Sequence, residues 1–217
     1  MSTFPGSPKI LKGGIVALNA QTGAVIRVIP LQYNPDTLSR SFQIKGSGAE
    51  SGDRIEALRL KGPPVETIKV EAEIDATDQL EVADKDATKL GLHAILAALE
   101  TLIYPLSTTL QDNNTAAASG TLEIIAAEAD LTVFVFGPKR IAPVRITEFT
   151  VTEEAFDVSL NPIRAKLSLG MRVLTIDDVP FIEKSGGLFM TYLKAKEQLA
   201  AQGKSVAFGP LGISGIP

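Results

Sequence analysis

The sequence predicts a mainly β fold with one or two helices, arranged as an antiparallel barrel or sandwich with a helix at its flank. Three observations predict it. Two stretches alternate cleanly with period two, several shorter apolar stretches are separated by turn residues, and one strong helical stripe interrupts them. The 217 residues suit one domain with a sizeable core, or one domain plus a tail.

The elements follow in chain order. Residues 15–18 and 24–33 flank Asn19-Ala20-Gln21-Thr22-Gly23, a turn-rich link that predicts a hairpin. Residues 38–44 keep Leu38, Phe42 and Ile44 in phase. Residues 67–75 alternate strictly. Ile68, Val70, Ala72 and Ile74 face one way, and Lys69, Glu71 and Glu73 face the other. Leu92, Ile95, Leu96, Leu99, Leu102 and Ile103 form a helical stripe, predicting one helix between Asp86 and Pro105 with Asp84 or Asp86 at its start.

Residues 131–136 are apolar apart from Thr132, as in a strand covered on both faces. Residues 144–152 alternate but change phase near Glu148, which predicts a β-bulge. Residues 163–173 alternate again, with Arg164, Lys166, Ser168 and Arg172 opposite an apolar face. Their polar face is basic where that of 67–75 is acidic, so pairing of these two strands is expected. The total is about seven strands. A second helix is expected from 187 to 202, and residues 111–120 read as a surface connection. The chain divides into a β domain, residues 1–176, and a C-terminal extension, 177–217, with that helix and a Gly/Pro-rich apolar tail.

Composition excludes several functions. There is no cysteine, so there is no disulfide framework, thiolate nucleophile or Cys-ligated metal. The net charge is −4, with eight acidic against two basic residues between 66 and 86, and no basic stripe for nucleic acid. No apolar run approaches membrane-spanning length, and residues 1–14 lack a signal-peptide layout. The expectation is a protein made in the cytoplasm, without direct membrane insertion.

Catalytic constellations are sparse. His93 is the only histidine and reads as a surface or structural residue. Asp75, Asp78, Glu81, Asp84 and Asp86 lack the spacing of a calcium loop. Gly203-Lys204-Ser205 has no glycine at the phosphate-loop position before it, and Gly46 and Gly48 lack the third glycine of a dinucleotide fingerprint. No enzyme, cofactor or metal is expected.

Residues 29–35, Ile-Pro-Leu-Gln-Tyr-Asn-Pro, resemble the Q-[FY]-N-P signature of the contractile injection system tube-protein family, here carried by Gln32, Tyr33, Asn34 and Pro35. The later order is similar. An acidic strand and a helix are followed by an apolar strand ending in Phe136-Gly137, where the family usually has Trp-Gly. Phe156-Asp157 then leads through a turn to Pro162-Ile163-Arg164-Ala165, resembling F-D-x-x-G-x-P-x-R-A without its glycine. Longer relatives carry a C-terminal LysM module, and none follows residue 175.

The resemblance covers roughly residues 10–175 and implies a tail-tube-like fold. It implies a structural subunit of a phage-tail-like particle whose six copies form a ring between the baseplate spike or hub and the inner tube, nucleating tube assembly. The alternatives are the inner-tube repeat or a terminal cap, or a free β-sandwich ligand-binding module. The expected partners are further copies of the chain, the inner-tube protein and the spike, hub and other baseplate proteins. The particle is either released or membrane-attached. The residues read as assembly contacts are Lys45, Arg54, Leu58 and Arg59 in a long arm, 45–64, and Phe189 and Tyr192 in the C-terminal helix.

Overall fold

The two stretches of strict alternation are hydrogen-bonded neighbours. In the computed structural model, which describes residues 11–46, 59–120, 129–203, 208 and 212–216, β4 (Val65–Asp75) pairs antiparallel with β7 (Pro162–Val173). Glu73 lies opposite Lys166 and Asp75 opposite Arg164, the acidic-on-basic register expected from their charges.

Five further strands complete one antiparallel sheet: β1 (Gly14–Leu18), β2 (Val25–Pro30), β3 (Leu38–Gln43), β5 (Leu131–Val135) and β6 (Ile141–Phe156). Their spatial order is β2-β1-β5-β6-β7-β4-β3. The fold is mainly β, as the patterning predicts. Among the described residues it does not close into a barrel, because β2 and β3 lie at its two edges and do not pair with each other.

The sheet nevertheless curls strongly. In a flat sheet β2 and β4 would lie five strand spacings apart, about 24 Å. Yet the Gln32 side chain, two residues beyond β2, bonds directly to the backbone of Asp75 at the end of β4. β6 lies between β5 and β7 and is bonded along its two edges over different lengths. Residues 141–144 pair with β5 and 144–156 with β7, and the register shifts between Ile146 and Glu148. That shift is the bulge expected near Glu148. It returns Phe149 and Val151 to the side opposite Leu169 and Leu167.

One core fills the curl. It joins Ile15, Ile29 and Leu31 to Ile68, Val70, Phe134, Leu167, Leu169 and Met171. A smaller cluster of Leu18, Leu131 and Val133, with Leu174 and Leu188, backs the other side of β1 and β5. β5 is therefore covered on both faces, which accounts for its apolar run, interrupted only by the buried Thr132.

Five helices accompany the sheet among the described residues, where one or two were expected: α1 (Thr77–Glu81), α2 (Lys85–Leu90), α3 (His93–Glu100), α4 (Ser107–Ala118) and α5 (Lys184–Gln202). The single helix expected between 86 and 105 is broken at Gly91, whose φ is +54°. A Cβ there would lie 2.5 Å from the Pro162 carbonyl oxygen, and the next residue, Leu92, donates its N–H to that same oxygen at 2.9 Å. The break ties the head of α3 to the start of β7, while Arg27 of β2 donates to the Ala98 carbonyl near its other end. Asp84 caps α2, accepting from the N–H groups of Asp86 and Ala87.

Residues 107–118, within or beside the expected surface connection, form α4, which buries none of its side chains. The C-terminal helix begins three residues earlier than expected, and the described residues beyond it lie in no helix or strand. No helix among the described residues is long and apolar enough to cross a membrane.

Candidate assembly site

The Gln32-Tyr33-Asn34-Pro35 segment crosses from one sheet edge to the other. Pro30 ends β2 and Pro35 precedes β3, and neither has an N–H to offer a ladder. Side chains supply the missing bonds. Gln32 Nε2 donates to the Asp75 carbonyl at 2.6 Å, and the Asp75 N–H donates to Gln32 Oε1 at 2.8 Å. The amide thus bonds β4 as a strand neighbour would. Asn34 Oδ1 accepts from Gly13 N–H at 3.0 Å, and its Nδ2 donates to the Leu11 carbonyl at 2.7 Å, fastening the chain ahead of β1. Tyr33 stays half-exposed beside this seam.

Asp75 gathers the second motif. Its carboxylate accepts from Arg164 Nε at 2.8 Å and from the N–H and hydroxyl of Thr77. Burial pushes its pKa up, but the Thr77 bonds and Arg164 outweigh this and hold it below the ordinary carboxylate value. Arg164 also reaches Glu73 at 3.3 Å. Two motifs more than a hundred residues apart in sequence therefore meet on one aspartate.

The turn feeding Arg164 is built by Asp157. Its carboxylate accepts from the N–H groups of Ser159 (2.7 Å) and Asn161 (2.9 Å) and from Asn161 Nδ2 (2.8 Å). The Asn161 bonds come first among the causes that hold the Asp157 pKa down. Leu160 occupies the place that F-D-x-x-G reserves for glycine, and its φ is +63°. Phe156, Val158 and Leu160 all project outward from this tip.

Phe136 and Gly137 make the β5–β6 turn. Phe136 stacks on Phe134 with ring centroids 5.9 Å apart, and the Arg140 guanidinium carbon lies 5.6 Å from the Phe136 centroid. Gly137 has φ +75°, and its carbonyl accepts from Arg140 N–H around Pro138.

At the other end of β4, a second buried carboxylate holds α5. Glu66 is 3 % exposed and is reached by the Tyr192 hydroxyl (2.9 Å), Lys196 Nζ (2.6 Å) and Arg40 Nε (3.1 Å). Lys196 also lies 4.1 Å from the Tyr192 ring centroid. Burial, then the Glu66 charge, pushes the Tyr192 pKa up. Phe189 and Tyr192 are thus buried within this chain's own core. Any contact made by α5 with a neighbour has to use its other side.

The arm is closed at its base. Gly46 bridges Leu60, Lys61 N–H donates to the Lys45 carbonyl, and Lys45 Nζ is 2.7 Å from Asp177. Arg59 is exposed at that base, while Arg54 and Leu58 lie outside the described residues.

The remaining large feature is the sheet's polar face. Lys69, Glu71 and Glu73 of β4, Arg164, Lys166 and Ser168 of β7 and Glu148, Thr150 and Thr152 of β6 are exposed on it. Its charges bond one another, Lys69 to Glu148 at 2.9 Å and Lys166 to Glu154 at 2.8 Å. A hollow of about 860 Å³ lies over this face beside residues 33–37.

His93 is the exposed first residue of α3. Among the described residues, no three histidine or carboxylate side chains gather where a metal ion would bind. Sequence reasoning missed Gln32 and Asp75 as partners, and Glu66 as the anchor of α5. No protein-family model matches the chain, and no curated protein matches it either.

Proposed function

We propose that the chain is a non-enzymatic structural subunit of a contractile injection system. Copies of it form a ring, six-fold by the resemblance, that links the spike or hub of the baseplate to the inner tube and nucleates that tube. The observation that carries this reading is the seam at Asp75. The Q-Y-N-P segment and the arginine of the later motif, the residues on which the resemblance rests, are bonded partners there. They act on architecture, holding the sheet curled while β2 and β3 stay as its edges among the described residues.

Unpaired edges are surfaces on which a neighbour's strand completes a ladder. On β2 the side chains of Val25, Ile26 and Val28 are exposed as well, so such a neighbour would cover apolar surface in addition to backbone groups. In a ring of this kind the polar sheet face lines the channel, and the helices lie outside it. The arm above Lys45 and Leu60 reaches the adjoining subunit or ring.

Negative-stain microscopy with mass determination tests the reading, on the protein alone and mixed with its candidate tube and hub proteins. Six-fold rings, or tubes seeded by the protein, are expected. A monomer that neither forms rings nor seeds tubes in those mixtures defeats the proposal. Copy number in intact particles then separates an initiator from the repeat of the tube. Deleting residues 50–60 is expected to leave a folded subunit that no longer builds rings or tubes.

A further inference from the structure

The chain ahead of β1 meets the rest of the molecule at the rim of the hollow over the polar sheet face. Beyond the Gly14–Pro30 pair, the β1–β2 ladder continues as a bond from Leu31 N–H to the Gly13 carbonyl at 2.8 Å. Asn34 then takes over, bonding to Gly13 and Leu11. The same Asn34 lines the hollow of about 860 Å³, between Tyr33 and Pro35. Residues 1–10 lie outside the described residues and join the molecule here, at Leu11. Ten extended residues span at most about 33 Å. The sheet wall of the hollow, from β4 across β7 to β6, is two strand spacings wide, about 10 Å. Residues 1–10 are long enough to cross it.

The other stretches outside the described residues attach elsewhere. Residues 47–58 leave from the Gln43–Val65 end of the β3–β4 ladder, the opposite end of β4 from Asp75. Residues 121–128 lead towards Leu131, which pairs with Leu18 at the far end of β1 from Gly14. The C-terminal stretches follow α5, which is fastened at Glu66, again the far end of β4. Charge favours the N-terminal segment as well. Asp36, Glu71, Glu73 and Asp75 stand in the hollow against Arg164 and Lys166. Arg164 is shared by Asp75 and Glu73, and Lys166 is engaged by Glu154. Asp36 and Glu71 are exposed and make no ion pair among the described residues. Residues 1–12 carry Lys9 and Lys12 and no acid, so segment and hollow are complementary.

We infer that residues 1–10 fold back as a strap across this hollow of their own chain, with Lys9 against Asp36 and Glu71. Phe4 is the aromatic of the segment, and the half-exposed Tyr33 at the rim offers it a ring to pack on. The contact is made within one chain and does not rest on the ring reading. In a ring whose channel is lined by the polar face, the strap lies in the channel and narrows it. A basic ligand that binds Asp36 and Glu71 then has to displace it.

The absence of native cysteine lets one engineered pair report the contact. Ser7→Cys and Ser168→Cys are placed in one chain, which is oxidised mildly at low concentration and analysed by mass. A disulfide forms only if the two Cα atoms come within about 7 Å. An intrachain disulfide is expected. Adding Asp36→Lys and Glu71→Lys is expected to slow its formation at least tenfold. Those two side chains hold no ion pair in the fold, so their reversal spares the subunit. The two single-cysteine variants, one of them tagged, are mixed and oxidised in parallel, and no mixed dimer is expected. The inference is overturned by the absence of the intrachain link, by a rate untouched by charge reversal, or by mixed dimers forming as fast. Microscopy keeps the two readings apart. Six-fold rings without the 7–168 link sink the strap and spare the ring, whereas linked chains that build no ring do the reverse.

Discussion

Asp75 and Glu66 are buried carboxylates on the same strand, nine residues apart, and they hold the molecule together by different means. Around Asp75 the bonds engage backbone and a neutral amide as well as a cation: Gln32 binds the main chain, Thr77 binds locally, and Arg164 comes from the adjacent strand. Around Glu66 the described bonds join side chains, two cations and a phenol, and two of these donors lie on one helix. The first carboxylate sits where the sheet is fastened into its curl. The second fastens α5 onto a sheet already formed. The difference separates an interaction that defines the fold from one that attaches an element to it.

The largest effect is expected at Glu66. Glu66→Ala removes at once the bonds from Tyr192, Lys196 and Arg40, at about 1 kcal/mol each a loss of about 3 kcal/mol. Urea denaturation measures it. A loss below about 1 kcal/mol means that water replaces the carboxylate and α5 is held by packing alone. Gln32→Ala comes next. It leaves the Asp75 N–H and carbonyl unbonded at the seam, for a loss of about 2 kcal/mol. Hydrogen exchange at the end of β4 is expected to rise in this variant and not in Glu66→Ala. Equal changes in both would erase the distinction between seam and latch.

The two ends are also expected to fail at opposite pH. Asp75 has a depressed pKa in the fold, so its contribution is present above its unfolded value near about 4. That contribution is lost as pH falls through the folded value. Tyr192 has a raised pKa, so its contribution is whole below about 10 and is lost as pH climbs beyond that. Asp75→Asn is expected to flatten the acid limb of a stability–pH curve, and Tyr192→Phe the alkaline limb. An acid limb as steep in Asp75→Asn as in the parent removes the seam as its source.

The smallest effect has the opposite sign. Leu160→Gly is expected to stabilise the isolated subunit by about 1 kcal/mol by relieving the left-handed leucine. A thermal midpoint that falls instead would mean that Leu160 packs within its own chain.

Local patterning carried the strands well. Period two in 67–75 and 163–173 marks two faces, and the charges on the polar faces are enough to predict which strands meet. The phase change at Glu148 likewise marks a bulge. The helices were harder. The stripe from Leu92 to Ile103 continues the apolar face of a helix, and nothing in its spacing reveals that Pro162 stands against Gly91. α4 packs no apolar face, so residues Asp112-Asn113-Asn114 look like loop although the backbone is helical.

The candidate site was legible only in part. Asn34, Pro35, Phe136 and Arg164 stood out in motifs, but Gln32 and Asp75 are 43 positions apart. Their bond exists only because the sheet curls, and curl is a property of seven strands together. The buried side of Phe189 and Tyr192 was equally hidden, since the carboxylate that receives Tyr192 lies 126 positions earlier.

The strand order has a further consequence for how the protein is made. β1 lies between β2 and β5, yet its contact of Ile15 with Phe134 joins residues 119 positions apart. Pairings this distant in sequence close slowly, because loop entropy is lost before contact is gained. At about 5–20 residues per second of synthesis, the first hairpin waits at least several seconds for β5 to leave the ribosome. During that wait β1 is an additional open edge beside an exposed apolar β2. The interval before β5 docks is therefore when a nascent chain is most prone to pair wrongly with another copy.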